Sequence, residues 1–101
     1  MQRLGILVNS AEHLEHVVGL TRAAVAKGQE VAIFAMDAGT RLLGNPVFTS
    51  LAELQGVTLS LCEHSAKAFG VVPERLPPGI RCGSQLNNAS MVHAADRVVV
   101  L

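Results

Sequence analysis

The sequence predicts an α/β fold, a three-layer α/β/α sandwich around a mainly parallel sheet of about five strands. Short apolar runs bounded by polar or glycine residues recur along the chain: "LGILV" (4–8), "EVAIFAM" (30–36) and "VTLSL" (57–61). Segments with helical spacing separate them, the alternation that builds parallel sheets. The second run is almost continuously apolar, as a strand covered on both faces is. The 101 residues suit one domain, 1–101.

Each element has a local reason. Asn9-Ser10 bounds the first strand, and Ser10 is a plausible helix N-cap. Leu14, Val17, Val18, Thr21, Ala24 and Val25 then recur at helical spacing, until Gly28 supplies a C′ residue. The second strand runs into Asp37, a turn or cap residue. "AGTRLLGNP" reads as a loop with a helical turn around Thr40–Leu43. Thr49 or Ser50 caps a short helix that Gly56 ends. The third strand meets Cys62 and, at once, a helix through about Phe69. "GVVPERLPPGIRCG" holds three prolines and three glycines and is the most irregular stretch. It suggests one helical turn near Glu74–Leu76 and an extended piece at Ile80–Cys82. Ser84 caps the last helix, "QLNNASMVHAA", and "RVVVL" is the final strand. The crossovers between parallel strands should be right-handed.

Composition excludes several functions. Lys plus Arg equals Asp plus Glu, eight each, with no basic stripe, so direct nucleic-acid binding is not expected. No apolar run approaches the ~20 residues that span a bilayer, and "MQRLGILVNS" turns polar too soon for a signal peptide. A cytoplasmic protein without a membrane partner is therefore expected, with its two cysteines reduced. Charged residues are only 16% of the chain while half the residues are apolar, which suggests surface hidden in an oligomer. No phosphate-binding glycine loop, dinucleotide fingerprint or C-x-x-C is present. His13 and His16 share a helix face but have no third ligand at a suggestive spacing, so no metal is expected.

Chemistry in a parallel sheet gathers at the carboxyl ends of its strands. Cys62 lies there, at the seam with a helix, where unpaired amides of Ser65 and its neighbours favour thiolate over thiol. His64 and Lys67 add positive charge; Glu63 opposes ionisation. Against this stands the tendency of free cysteine to be buried as a small hydrophobe. Ser10 and Asp37 are placed in the pocket lining, and loop 72–82 is placed as its gate. Cys82 is either a second relay thiol or a small loop residue.

Three stretches together resemble the DsrE/DsrF-like family of small sulfur-relay proteins, including its TusD-type subunits. "LGILVNSAEHLEHVVGLTRAAVAKGQEVAIFAMDAGTRLL" is similar to that family's opening strand, helix and second strand. "VTLSLCEHSAKAFGV" resembles its third strand, reactive cysteine and following helix, and "GSQLNNASMVHAADRVVVL" its close. The resemblance implies the parallel α/β/α fold and assembly into trimers or hexamers. It implies a cysteine that carries a persulfide between donor and acceptor proteins, without metal or organic cofactor. Only Cys62 matches the sulfur-carrying position. The alternative is a non-catalytic assembly or small-ligand-binding subunit of the same fold.

Overall fold

Strand β1 (Arg3–Val8) leads through helix α1 (Leu14–Ala26) to β2 (Glu30–Ala35). A 3₁₀ stretch (Asp37–Gly44), the short helix α2 (Pro46–Thr49) and a second 3₁₀ turn (Ser50–Glu53) connect β2 to β3 (Val57–Cys62). Helix α3 (Glu63–Ala68) and a 3₁₀ turn (Pro73–Arg75) lead to β4 (Ile80–Gly83), and α4 (Gln85–Ala94) leads to β5 (Arg97–Val100). This computed structural model describes residues 2–101.

All five strands are parallel, in the order β4-β3-β2-β1-β5. The first three crossovers step in one direction, and the last returns past β1. Right-handed crossovers then place the first three on one face of the sheet and α4 on the other. Packing agrees. Ile6, Ile33 and Leu59 share a buried core with Val17 and Ala24 of α1, Phe48 of α2 and Ala66 of α3. Side chains alternate across a strand, so Gly5 faces the opposite side. A Cβ there would meet Met91 Sδ and Ala95 of α4, so the missing side chain is the room α4 occupies. The two faces are unequal, because α4 alone covers the second and has no buried residue of its own.

Two helices end in the same device. Gly28 takes φ +77°, its N–H donates to Val25 O, and Gln29 N–H donates to Ala24 O. Gly70 takes φ +73°, with Gly70 N–H on Lys67 O and Val71 N–H on Ala66 O. Each is a Schellman turn that satisfies the last carbonyls of its helix. In the second, Val71 also folds back against the core.

Helix starts depart more from expectation. Ser10 is not the N-cap of α1: that position belongs to His13, which makes no side-chain cap. The Ser10 hydroxyl instead donates to Leu101 O at 3.4 Å, beside Asn9 N–H on the same carbonyl. The residues after β1 thus prolong its contact with the β5 end before the helix begins. The short helix expected after Thr49 or Ser50 is the 3₁₀ turn Ser50–Glu53, with Thr49 at its N-cap position but making no side-chain cap, and a further short helix, α2, precedes it. Asn45 caps α2, accepting Val47 N–H at 2.9 Å, and Pro46 fills the first helical position, where no N–H is needed.

Candidate functional site

Two parallel strands and two helix starts meet at one point of the sheet's carboxyl edge. Cys62 ends β3 and is the N-cap residue of α3. Its register partner on β4 is Gly83, one residue before the cap of α4. Ser84 makes that cap as a full capping box: its hydroxyl accepts Leu86 N–H at 3.2 Å, and Ser84 N–H donates to Asn87 Oδ1 at 2.8 Å. Gly83 leaves room for it, since a Cβ would come within 2.7 Å of Asn87 Oδ1. The chain therefore delivers Gln85, at the head of α4, beside the cysteine.

A cleft of about 480 Å³ opens over this junction, lined by Met36, Asp37, Cys62, Glu63, His64, Ser65, Lys67, Gly83, Ser84 and Gln85. Cys62 lies at its floor, only 3% exposed. Burial pushes the thiol pKa up, but hydrogen bonds outweigh it and the net effect lowers the pKa. The groups that lower it are Ser65, through its amide and hydroxyl, the Gln85 side-chain amide and the His64 amide, although the Cys62 side chain makes no cap hydrogen bond to the start of α3. All are neutral. The α3 start contributes through the nearby unpaired amides of His64 and Ser65, which favour the charged form of the sulfur.

Two of the donors are held in orientation by neighbours. Ser65 Oγ accepts the Asp37 N–H at 2.8 Å, which leaves the hydroxyl proton free for the sulfur. Asp37 can present that amide because it adopts φ +49°, in the left-handed region, while its carbonyl accepts the Thr40 hydroxyl at 2.8 Å. On the other side, Gln85 Oε1 accepts Asn88 Nδ2 at 3.2 Å. Its Nε2 then faces Met36 Sδ, at 3.8 Å, as well as Cys62.

Of the residues selected from sequence, Asp37, Cys62, His64 and Ser65 come together in this cleft. Ser10 does not, being committed to Leu101 O. Cys82 also stays out of the lining. It pairs in register with Leu61 rather than Cys62, so side-chain alternation turns it to the opposite face of β4, where it is exposed. Although the residue is exposed, partial desolvation of its thiol pushes the pKa up first, then the charges of Glu63, Glu74 and Cys62. Glu63, expected to oppose ionisation of Cys62, thus acts on the other thiol. Loop 72–82 gives the cleft no lining residue; its wall on that side is Gly83–Gln85. Gln85 is missed by sequence reasoning, because nothing local marks it. Only the Cys62–Gly83 register brings α4 there.

Replacing Ser65 by alanine is expected to raise the pH at which Cys62 alkylates at half its maximal rate. At neutral pH the rate should fall about tenfold, since a hydrogen bond to a charged group is worth roughly 1.5–3 kcal/mol. Iodoacetamide trapping with peptide mass spectrometry reads this site by site. An unchanged profile would show that the hydroxyl does not serve the sulfur.

A parallel α/β domain with a cysteine in a cleft at its carboxyl edge is what the fold and site define. Within that class the chain belongs to the DsrE/DsrF-like family, whose profile matches residues 2–101 and which is generally tied to sulfur relay. Among solved structures it is similar to the YchN protein of E. coli, at 19% identity and a TM-score of 0.76 over 100% of both chains. It is also similar to MTH1491 of Methanobacterium thermoautotrophicum, at 14% identity and a TM-score of 0.79, again over 100% of both. These two likenesses establish a shared fold. No curated protein matches the chain significantly. Among the described residues no helix is long and apolar enough to cross a membrane.

Proposed function

We propose that this protein is a cytoplasmic sulfur carrier that holds sulfane sulfur as a persulfide on Cys62. The observation that supports the reading most is the placing of Cys62 in an open cleft that Ser65, His64 and Gln85 also line, neutral groups whose influence lowers its pKa. The Cys62 thiolate attacks the outer sulfur of a donor protein's persulfide. The donor's S–S bond breaks, its inner sulfur leaves as thiolate, and a new S–S bond forms on Cys62. An acceptor thiolate then attacks the outer sulfur of Cys62–S–SH, and Cys62 leaves as thiolate again. The sulfane sulfur keeps its oxidation state throughout, so neither transfer needs an oxidant or a cofactor. The same donors that favour thiolate would stabilise Cys62 as attacking group, as leaving group and as persulfide anion. The test is incubation with a persulfide donor followed by intact-mass and peptide analysis, with one added sulfur expected on the Cys62 peptide.

The carrier works as a homo-oligomer, a trimer or hexamer, in this reading. Support comes from the thinly covered face: Leu86 is 76% exposed and Val100 56% exposed, with Val92 and Val98 also open. Apolar side chains grouped on one helix and its underlying sheet mark an association surface. Light scattering on the intact chain should give a trimeric or hexameric mass, and a monomer at micromolar concentration would contradict it.

A further inference from the structure

A second cleft, about 600 Å³, lies at the far end of α3 from Cys62. Its walls are apolar, with Leu43, Val71 and Leu76 among them, and two arginines, Arg41 and Arg75, line it without any acidic residue. Neither guanidinium has a carboxylate within salt-bridge distance among the described residues, where Arg3–Glu30 is the one ion pair found. The lining itself thus carries two cations and no anion, while Glu74, next to Arg75, and Glu53, in an adjoining hollow, stay outside it. The exposed Arg41 lies with its guanidinium carbon 5.1 Å from the centre of the Phe69 ring, a cation–π contact that favours this orientation. A stacked, planar guanidinium loses less freedom on gripping a carboxylate than a loose one does. The backbone beneath is set by Pro46, Pro77 and the left-handed Gly70.

We propose that this groove is the docking site for an acidic segment of a protein partner, with carboxylates on Arg41 and Arg75 and an aliphatic side chain against the wall between them. Charge complementarity selects an acidic occupant, and the apolar wall calls for an aliphatic side chain beside the carboxylates. Charges of this kind govern encounter rate and partner choice more than raw affinity, which suits a brief, repeated contact. The proposal is independent of whether Cys62 carries sulfur.

The experiment uses the full chain carrying Cys62→Ser, so that no thiol chemistry at that position contributes. The probe is a short fluorescein-labelled peptide alternating aspartate and leucine, read by anisotropy. Saturable binding is expected, weakened about tenfold by Arg41→Gln or by Arg75→Gln and unchanged by Arg22→Gln on α1. It should also weaken as salt rises, because both contacts are solvent-exposed. The asparagine-for-aspartate peptide should not bind. No saturation up to about millimolar peptide, equal binding of the asparagine peptide, or indifference to both arginines would overturn the proposal. So would conversion of an oligomer to monomer by Arg41→Gln with Arg75→Gln, read by light scattering, since the groove would then belong to a second copy of the chain.

Discussion

Replacing Cys62 by serine is expected to abolish persulfide loading, while Cys82→Ser leaves it intact. A serine hydroxyl in the same place keeps the hydrogen bonds of the cleft but does not ionise near neutral pH, so neither the attacking anion nor the S–S bond can form. The two cysteines differ in setting. Cys62 is shielded but lies beside neutral groups that lower its pKa, and Cys82 is exposed but sits near the charges of Glu63 and Glu74. Mass spectrometry after treatment with a persulfide donor should show the added sulfur in wild type and Cys82→Ser, and none in Cys62→Ser. Loading that persists in Cys62→Ser and disappears in Cys82→Ser would move the carrier role to the edge strand.

Gly39→Ala is expected to be the most destabilising single methyl the chain can receive in this region. An added Cβ would collide with the Val8 carbonyl oxygen and lie 2.7 Å from its carbonyl carbon. That carbonyl already accepts Met36 N–H at 2.9 Å, so the obstacle is backbone fixed by its own hydrogen bond. Overpacking against backbone costs roughly 3 kcal/mol, and in a domain this size that lowers Tm by about 12 °C or more. The cost should spread to the site, because the segment that must shift carries Met36 and Asp37. Gly19→Ala on exposed α1, where nothing lies within 4 Å, is the control, and should stabilise by up to about 1 kcal/mol. Thermal melts of the two variants measure both. A Gly39→Ala protein as stable as wild type would mean that the 3₁₀ stretch packs on β1 less closely than described.

Elements were legible in the sequence where local physics decides them. Continuous apolar runs marked β1, β2 and β3, and Gly28 marked its helix end, because only a left-handed residue closes a Schellman turn easily. Ser84 announced α4 for a similar reason. What failed depended on neighbours distant in sequence. Ser10 had the right chemistry for a cap, but the end of β5, some ninety residues later, claimed its hydroxyl. The α2 start was missed although Asn45-Pro46 is a cap followed by a first-turn proline; the surrounding "AGTRLLGNP" reads as loop because glycine and proline frame it. At the site, Cys62, His64 and Ser65 fall within four consecutive residues, 62–65, and could be found together. Gln85 arrives by strand order and register, and the sheet order is not written in any local pattern. The same cause explains Cys82: it lies one residue from Gly83, yet strand alternation sends it to the other face.

The claim on which the rest depends is that neutral donors at the α3 start hold Cys62 as a thiolate more readily than an ordinary thiol. The direct measurement is the pH dependence of alkylation at each cysteine separately, by peptide mass spectrometry of the native protein. Free thiols ionise near pH ~8.5. The Cys62 rate should level off below that range and the Cys82 rate above it. A Cys62 midpoint equal to or higher than that of Cys82 would contradict the account.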